Sequence, residues 1–171
     1  SAIVCTEEVV KRMGLVSRAV KIRASILGSG KEHPFGSDDP DIGERLAKRA
    51  YEVSGLGPND INLAEVHDAT AFGEMIQAEN LGFCPKGEGG TFAASGAIAP
   101  GGALPVNTHG GLLSHCHPGN PGSMFALTET VLQLRHAAGA RQVPNARTAL
   151  VHAQGGIMSS HTTSILSRER N

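Results

Sequence analysis

The chain of 171 residues carries 15 Lys and Arg against 16 Asp and Glu, is 40% apolar and 18% charged, and contains no Trp. That size and balance fit one globular domain able to bury a core without disulfides or a structural metal, and 4% aromatic residues point to packing by small aliphatic side chains. A net charge of -1 leaves no electrostatic footprint for nucleic acid or an anionic membrane surface.

The N-terminus, S-A-I-V-C-T-E-E, lacks the basic region and sustained apolar core of a signal peptide. Ala2 to Cys5 reads as the end of a buried strand entered without its beginning, so a fragment of a longer chain is expected. Thr6 caps a short helix from Glu7 to Met13 that stops at Gly14, with Glu7 and Glu8 set against the N-terminal dipole. Ala19 to Leu27 alternates as a half-buried strand, with Val20, Ile22, Ala24 and Ile26 on one face. The segment Gly28 to Pro40 is a loop, and Asp39 as N-cap with Pro40 at the first helical position opens a helix to about Val53.

Ile61, Leu63, Ala64 and Val66 form a short strand that ends at His67-Asp68, and a helix follows from about Ala71 to Asn80. Gly82 to Gly102, rich in Gly, Ala, Ser and Pro, has no period and reads as an extended packed loop. Pro105 to Thr108 is a brief strand. It feeds N-T-H-G-G-L-L-S-H-C-H-P-G-N-P-G, Asn107 to Gly122, an active-site turn at the mouth of an apolar, buried helix from Ser123 to Ala138. Thr148–His152 and His161–Ser167 are strands joined by Q-G-G-I-M-S-S. This alternation predicts a layered α/β fold.

Three sites follow one pattern: a strand or turn ends, a His appears, and small residues follow. They are His67 in E-V-H-D-A-T, His117 before Pro118, and His152 at the end of A-L-V-H before Gly155-Gly156. Strand ends and helix starts of an α/β sheet converge on one rim, so these imidazoles can meet there as general bases or hydrogen-bond donors. Each also has a plainer alternative, a hydrogen-bonded structural histidine. The glycine pairs Gly110-Gly111 and Gly155-Gly156 suit either an oxyanion hole or a tight turn. His109, His115 and Cys116 match no usual zinc spacing, so no metal is expected. Cys116 beside His117 reads as a packed small residue, as do Cys84 and Cys5. Asp68 or Glu65 could orient His67, and Asp68 is equally a helix N-cap. With three cysteines and no Cys-x-x-Cys pair, a cytoplasmic protein without disulfides is expected.

The ordered motifs H-D-A-T, N-T-H-G-G-L-L-S-H-C-H-P-G-N-P-G and H-A-Q-G-G-I-M-S-S resemble the C-terminal half of the thiolase superfamily. The closest resemblance is to sterol-carrier-protein-type thiolases and bacterial lipid-transfer-protein homologues. It implies an αβαβα architecture of two similar halves, with residues 1–14 ending the first half and 15–171 forming the second. It also implies that coenzyme A thioesters are the substrates and that the nucleophilic Cys lies in the N-terminal half. His117 would then activate that thiol, His67 would hold an oxyanion through water, and the backbone near Gly155 and Gly156 would form a second oxyanion hole. His152 falls near the acid/base Cys of degradative thiolases. The sequence departs from the family where Ala69 replaces a second Cys and Cys116 replaces the Gly of Gly-His-Pro.

The expected activity is therefore acyl-CoA C-acyltransfer, with the N-terminal half as required partner. A retro-aldolase acting on an acyl-CoA, or a non-catalytic acyl-CoA- or lipid-binding subunit, are the alternatives. The apolar face left by the other half implies a dimer or higher oligomer. The resemblance adds a zinc-ribbon/OB-fold protein as a further partner.

Overall fold

The computed structural model describes residues 2–30, 41–119, 121–156 and 159–168. Its centre is a four-stranded sheet in the order β1-β4-β3-β2, built from Lys21–Ser29, Ser160–Ser167, Thr148–Gly155 and Leu63–Val66. The β1/β4 and β4/β3 pairs are antiparallel, whereas β3 and β2 run parallel with Val66 opposite His152. Beside β2, Pro105–Asn107 extends the edge: Ala64 N–H donates to Pro105 O at 3.1 Å, and Asn107 N–H donates to Ala64 O at 2.9 Å. The turn from this edge into the histidine motif starts at Asn107 itself. There φ is +52°, and the side-chain Oδ1 takes the Val66 N–H at 2.8 Å in place of a next strand residue.

Pleating sends alternate residues to opposite faces. Ala64, Val66, Leu150 and Ile165 pack with Ala47 and Ala50 of helix α2 (Ile42–Ser54), and Leu81 closes this core from the end of α3 (Ala71–Asn80). Leu63, Ala149, Val151 and Leu166 pack on the other face with Leu134 of helix α5 (Gly122–Leu134). Among the described residues no helix is long and apolar enough to cross a membrane.

The first helix, α1 (Glu7–Arg12), forms with Thr6 as its cap and Gly14 at φ +66° beyond its end. Residues 2–5 are not a buried strand. Among the described residues no sheet partner reaches them, and Ile3 and Val4 are 94% and 75% exposed. In β1 the expected single apolar stripe splits, because a register shift between Ile22 and Ala24 turns Ala24 and Ile26 toward α2 and leaves Ile22 exposed. The loop from Lys31 to Pro40, with Asp39 and Pro40, lies outside the described residues. Asp41 is the N-cap of α2, its carboxylate accepting from Gly43 N–H, and Gly55 in the left-handed region ends the helix.

Helix α3 has the expected bounds, but its cap is Thr70, whose hydroxyl accepts from Gly73 N–H at 2.9 Å, rather than Asp68. The stretch from Gly82 to Gly102 is not wholly loop. It holds a short helix α4, Gly89–Ala94, which packs so closely on α3 that a Cβ on Gly89 would stand 2.6 Å from Met75 O. Helix α5 is only half buried. Its first turn carries the exposed Met124 and Phe125, while the buried positions are Gly122, Glu129, Thr130, Gln133 and Leu134.

Candidate active site

The parallel β2/β3 pair ends beside the N-terminus of α5, and a shallow cavity opens there between Val66, His67, Asp68, His109, Ala126 and His152. The main-chain N–H of His67 donates to His152 O at 3.0 Å, tying the two strand segments together at the rim. Between Asn107 and α5 the expected active-site turn includes one π-helical turn, Gly111–His115. Gly110 and Gly111 have φ of +103° and +63°. The following amide, Leu112 N–H, donates to Asp68 Oδ1 at 2.7 Å, so the carboxylate expected to cap a helix instead pins this turn.

The turn brings His117 to His67 in an edge-to-face contact with ring centroids 5.6 Å apart. Burial, and then the His117 ring, push the His67 pKa below the ordinary histidine value, which outweighs the upward pull of Asp68. At neutral pH His67 is therefore a neutral imidazole with one N–H to donate.

His152 is 1% exposed and lies inside β3, which continues to Gly155, rather than at the end of its strand. Its Nδ1 lies 2.9 Å from Thr163 Oγ1 and its Nε2 lies 3.2 Å from His161 Nδ1. Burial, aided by His161 and His67, lowers its pKa to about 3. Gly155 ends β3 and Gly156 lies in the turn beyond it; both are exposed and do not line the cavity. Gly155 pairs with Ser160, and Gly156 has φ +59°.

Behind the rim lies a polar network that the residue pattern did not reveal. Glu65, fully buried in β2, takes hydrogen bonds from Thr108 N–H at 3.0 Å and Thr108 Oγ1 at 2.8 Å on one oxygen, and holds His109 Nδ1 at 2.7 Å on the other. Thr108 Oγ1 also lies 3.0 Å from Glu129 Oε1 of α5. Arg141 closes on Glu129 with two contacts of 3.1 and 2.8 Å, and Gln133 Nε2 donates to Glu129 Oε1 at 3.0 Å. Burial pushes the Glu129 carboxyl up, but the bonds from Arg141, Gln133 and Thr108 outweigh it and hold the group below the ordinary range. The available signal was the two-residue spacing of Glu65, in the four-residue strand β2, and His67 just beyond it, which puts the carboxylate on the same side of the chain as the histidine.

Among the described residues no cluster of three or more His, Cys, Asp or Glu side chains could hold a metal ion. Cys5 is exposed, and Cys84 and Cys116 are half-buried free thiols.

Residues 41–168 match the thiolase C-terminal domain-like family. The chain belongs to that family. It is 38% identical over 159 residues to the benzoylsuccinyl-CoA thiolase subunit BbsB of Thauera aromatica, covering 91% of this chain and 41% of that protein. Sterol carrier protein 2 of Rattus norvegicus is 38% identical over 161 residues, covering 91% of this chain and 29% of that protein. Among solved structures, an Ltp2-ChsH2(DUF35) aldolase superposes with a TM-score of 0.76 at 31% identity, covering 88% of this chain and 40% of that one. The α/β sheet is thus a thiolase-like fold. The thiolase-like chain spans well under half the length of these relatives.

Proposed function

We propose that this thiolase-like domain is the C-terminal half of an enzyme that makes or breaks carbon–carbon bonds next to a coenzyme A thioester. The observation that carries the reading is the contact of His117 with His67, which itself lines the cavity on the rim where β2, β3 and the start of α5 converge. Such chemistry passes through an enolate, whose oxygen is stabilised by fixed hydrogen-bond donors in a site shielded from water. A neutral His67 supplies one donor without the cost of desolvating a charge, and His117 supplies the second. His152, engaged through both ring nitrogens, walls the cavity as a fixed neutral ring. For Gly155 and Gly156 to serve a second oxyanion site, the acyl group would reach along β3 past Ala153.

In this reading residues 1–14 lead out of an N-terminal half that brings the nucleophilic Cys, and 15–171 form the C-terminal domain. The acyl-CoA binds between the halves and the assembly is dimeric or larger. A zinc-ribbon/OB-fold partner belongs to it as well, a view supported by similarity to the Ltp2-ChsH2(DUF35) aldolase. That same similarity favours retro-aldol cleavage as the second reading, since an aldolase needs the enolate donors but no acyl transfer.

The test uses the full-length protein with any co-purifying partner, offered a β-ketoacyl-CoA plus coenzyme A and, separately, a β-hydroxyacyl-CoA. Cleavage of the first identifies thiolysis and cleavage of the second identifies the retro-aldolase. His67→Ala should slow either by about 10²–10³-fold, the usual effect of removing one oxyanion donor. Binding of both thioesters with turnover of neither would leave an acyl-CoA-binding subunit and overturn the enzymatic reading.

A further inference from the structure

The carbon–carbon chemistry proposed above needs a group that takes up and returns a proton, and the geometry of the cavity offers one. His109 lines the cavity, and its side chain is 11% exposed against 0% for Glu65 behind it. The imidazole is held through Nδ1 alone, at 2.7 Å from Glu65 Oε2, and among the described residues Nε2 has no hydrogen-bond partner. Glu65 is itself held by the Thr108 N–H at 3.0 Å, with the Thr108 hydroxyl 2.8 Å away, so the carboxylate that aligns the ring is anchored to the main chain. A buried acceptor behind a histidine whose far nitrogen faces a cavity is the arrangement by which acid–base histidines are oriented.

We propose that His109 is the proton carrier of this cavity, acting through Nε2, with Glu65 as its positioning residue; the assignment rests on the carbon–carbon chemistry proposed above. The bookkeeping of protons supports it. With one proton between the two groups, Nδ1–H donates to the carboxylate and Nε2 is a bare lone pair. With two protons, whether written as imidazolium beside carboxylate or as neutral imidazole beside carboxylic acid, Nε2 carries a hydrogen. Gain or loss of the second proton is therefore always felt at the cavity. In the forward step Nε2 takes a proton from the α-carbon of the acyl thioester while the C–H electron pair becomes the enolate; in reverse the proton returns to carbon.

Several groups face His109 besides Glu65. Asp68 approaches from beyond β2, Glu129 from α5, and the His115 ring from the π turn at a centroid distance of 5.6 Å. The hydrogen bond to Glu65 is the main influence raising the His109 pKa above the ordinary value, burial opposes it, and Glu129 and Asp68 add to the rise. Burial pushes the Glu65 carboxyl up.

The experiment incubates the full-length protein with acetyl-CoA in D2O and follows deuterium entering the α-carbon, across pH, for wild type, His109→Gln and Glu65→Gln. His109→Gln should slow exchange by at least about 10²-fold with acetyl-CoA affinity retained. Glu65→Gln should move the acidic limb of the pH–rate profile to lower pH, because the imidazole loses the carboxylate that raises it; a merely structural role would lower the rate without moving the limb. The limb also decides the matter if His109→Gln fails to fold. Exchange by His109→Gln at the wild-type rate, or an unmoved limb in Glu65→Gln, overturns the assignment alone. Absence of exchange in wild type overturns it together with the carbon–carbon reading.

Discussion

A Cβ atom on Gly111 would overlap Oδ2 of Asp68 and stand 2.6 Å from its carboxyl carbon. The same carboxylate holds the next amide, Leu112 N–H. Contact and conformation therefore both demand glycine here.

Gly111→Ala should destabilise the protein by more than about 2 kcal/mol, since a left-handed alanine alone costs ~1–2 kcal/mol and the overlap adds to it. Gly139→Ala separates the two effects: φ is +62° there, but nothing lies within 4 Å of the added carbon. It should cost only ~1 kcal/mol. Adding Asp68→Ala to Gly111→Ala should recover part of the loss. Urea unfolding midpoints of the single and double variants measure this coupling directly.

His152 gives stability a defined pH dependence. Its pKa falls from 6.5 to about 3 in the folded chain, so the unfolded state binds the proton first as pH drops. Its contribution is complete above about pH 6.5, declines as pH falls from there toward 3, and is exhausted below, a change on the order of a few kcal/mol. Replacing His152 by Gln should flatten the curve of unfolding free energy against pH in that window. An unchanged slope would mean the ring is not buried neutral.

Arg141→Ala strands Glu129, which is 3% exposed, beside Thr108 and Gln133 without a cation. The variant should lose about 1–3 kcal/mol at neutral pH, less than for a wholly buried pair because the Arg141 side chain is 47% exposed. The loss should shrink on acidification, as the orphaned carboxyl takes up a proton. Thermal melts at neutral and acidic pH show whether the two proteins converge.

His117→Gln removes one of the influences that lower His67. The His67 titration followed by proton NMR should move up, toward the ordinary value, while burial still keeps it below. A midpoint that stays put would mean the two rings are not neighbours in solution.

How much of this was legible beforehand depends on the distance over which the cause acts. Helix α3 could be bounded from the chain itself because its apolar period and its start are local. Helix α4 could not, because Gly89 reads as a helix breaker until α3 is placed beneath it and leaves room for nothing larger. On composition, the apolar run after His117 predicts a buried helix. In the fold its Met124 and Phe125 face outward, and Glu129 and Gln133 are buried because Thr108, Arg141 and Gln142 satisfy them. The candidates His67, His117 and His152 share a pattern of strand end and small residues in the sequence, yet His152 lies inside β3, because the pattern does not show that a strand continues into its glycines. The Glu65–His109 pair was not legible, since its members lie 44 residues apart and meet only because Asn107 extends the edge of β2.

Thr108 has one hydroxyl hydrogen and lies within bonding distance of two carboxylates, Glu65 at 2.8 Å and Glu129 at 3.0 Å. It can serve only one of them at a time, so the two acids are rivals for a shared hydrogen. The Thr108 N–H has no such choice, for it stays 3.0 Å from Glu65 whichever acid the hydroxyl serves. The grip of Glu65 on His109 is therefore moored to the main chain, and a turn of the threonine side chain would not release it.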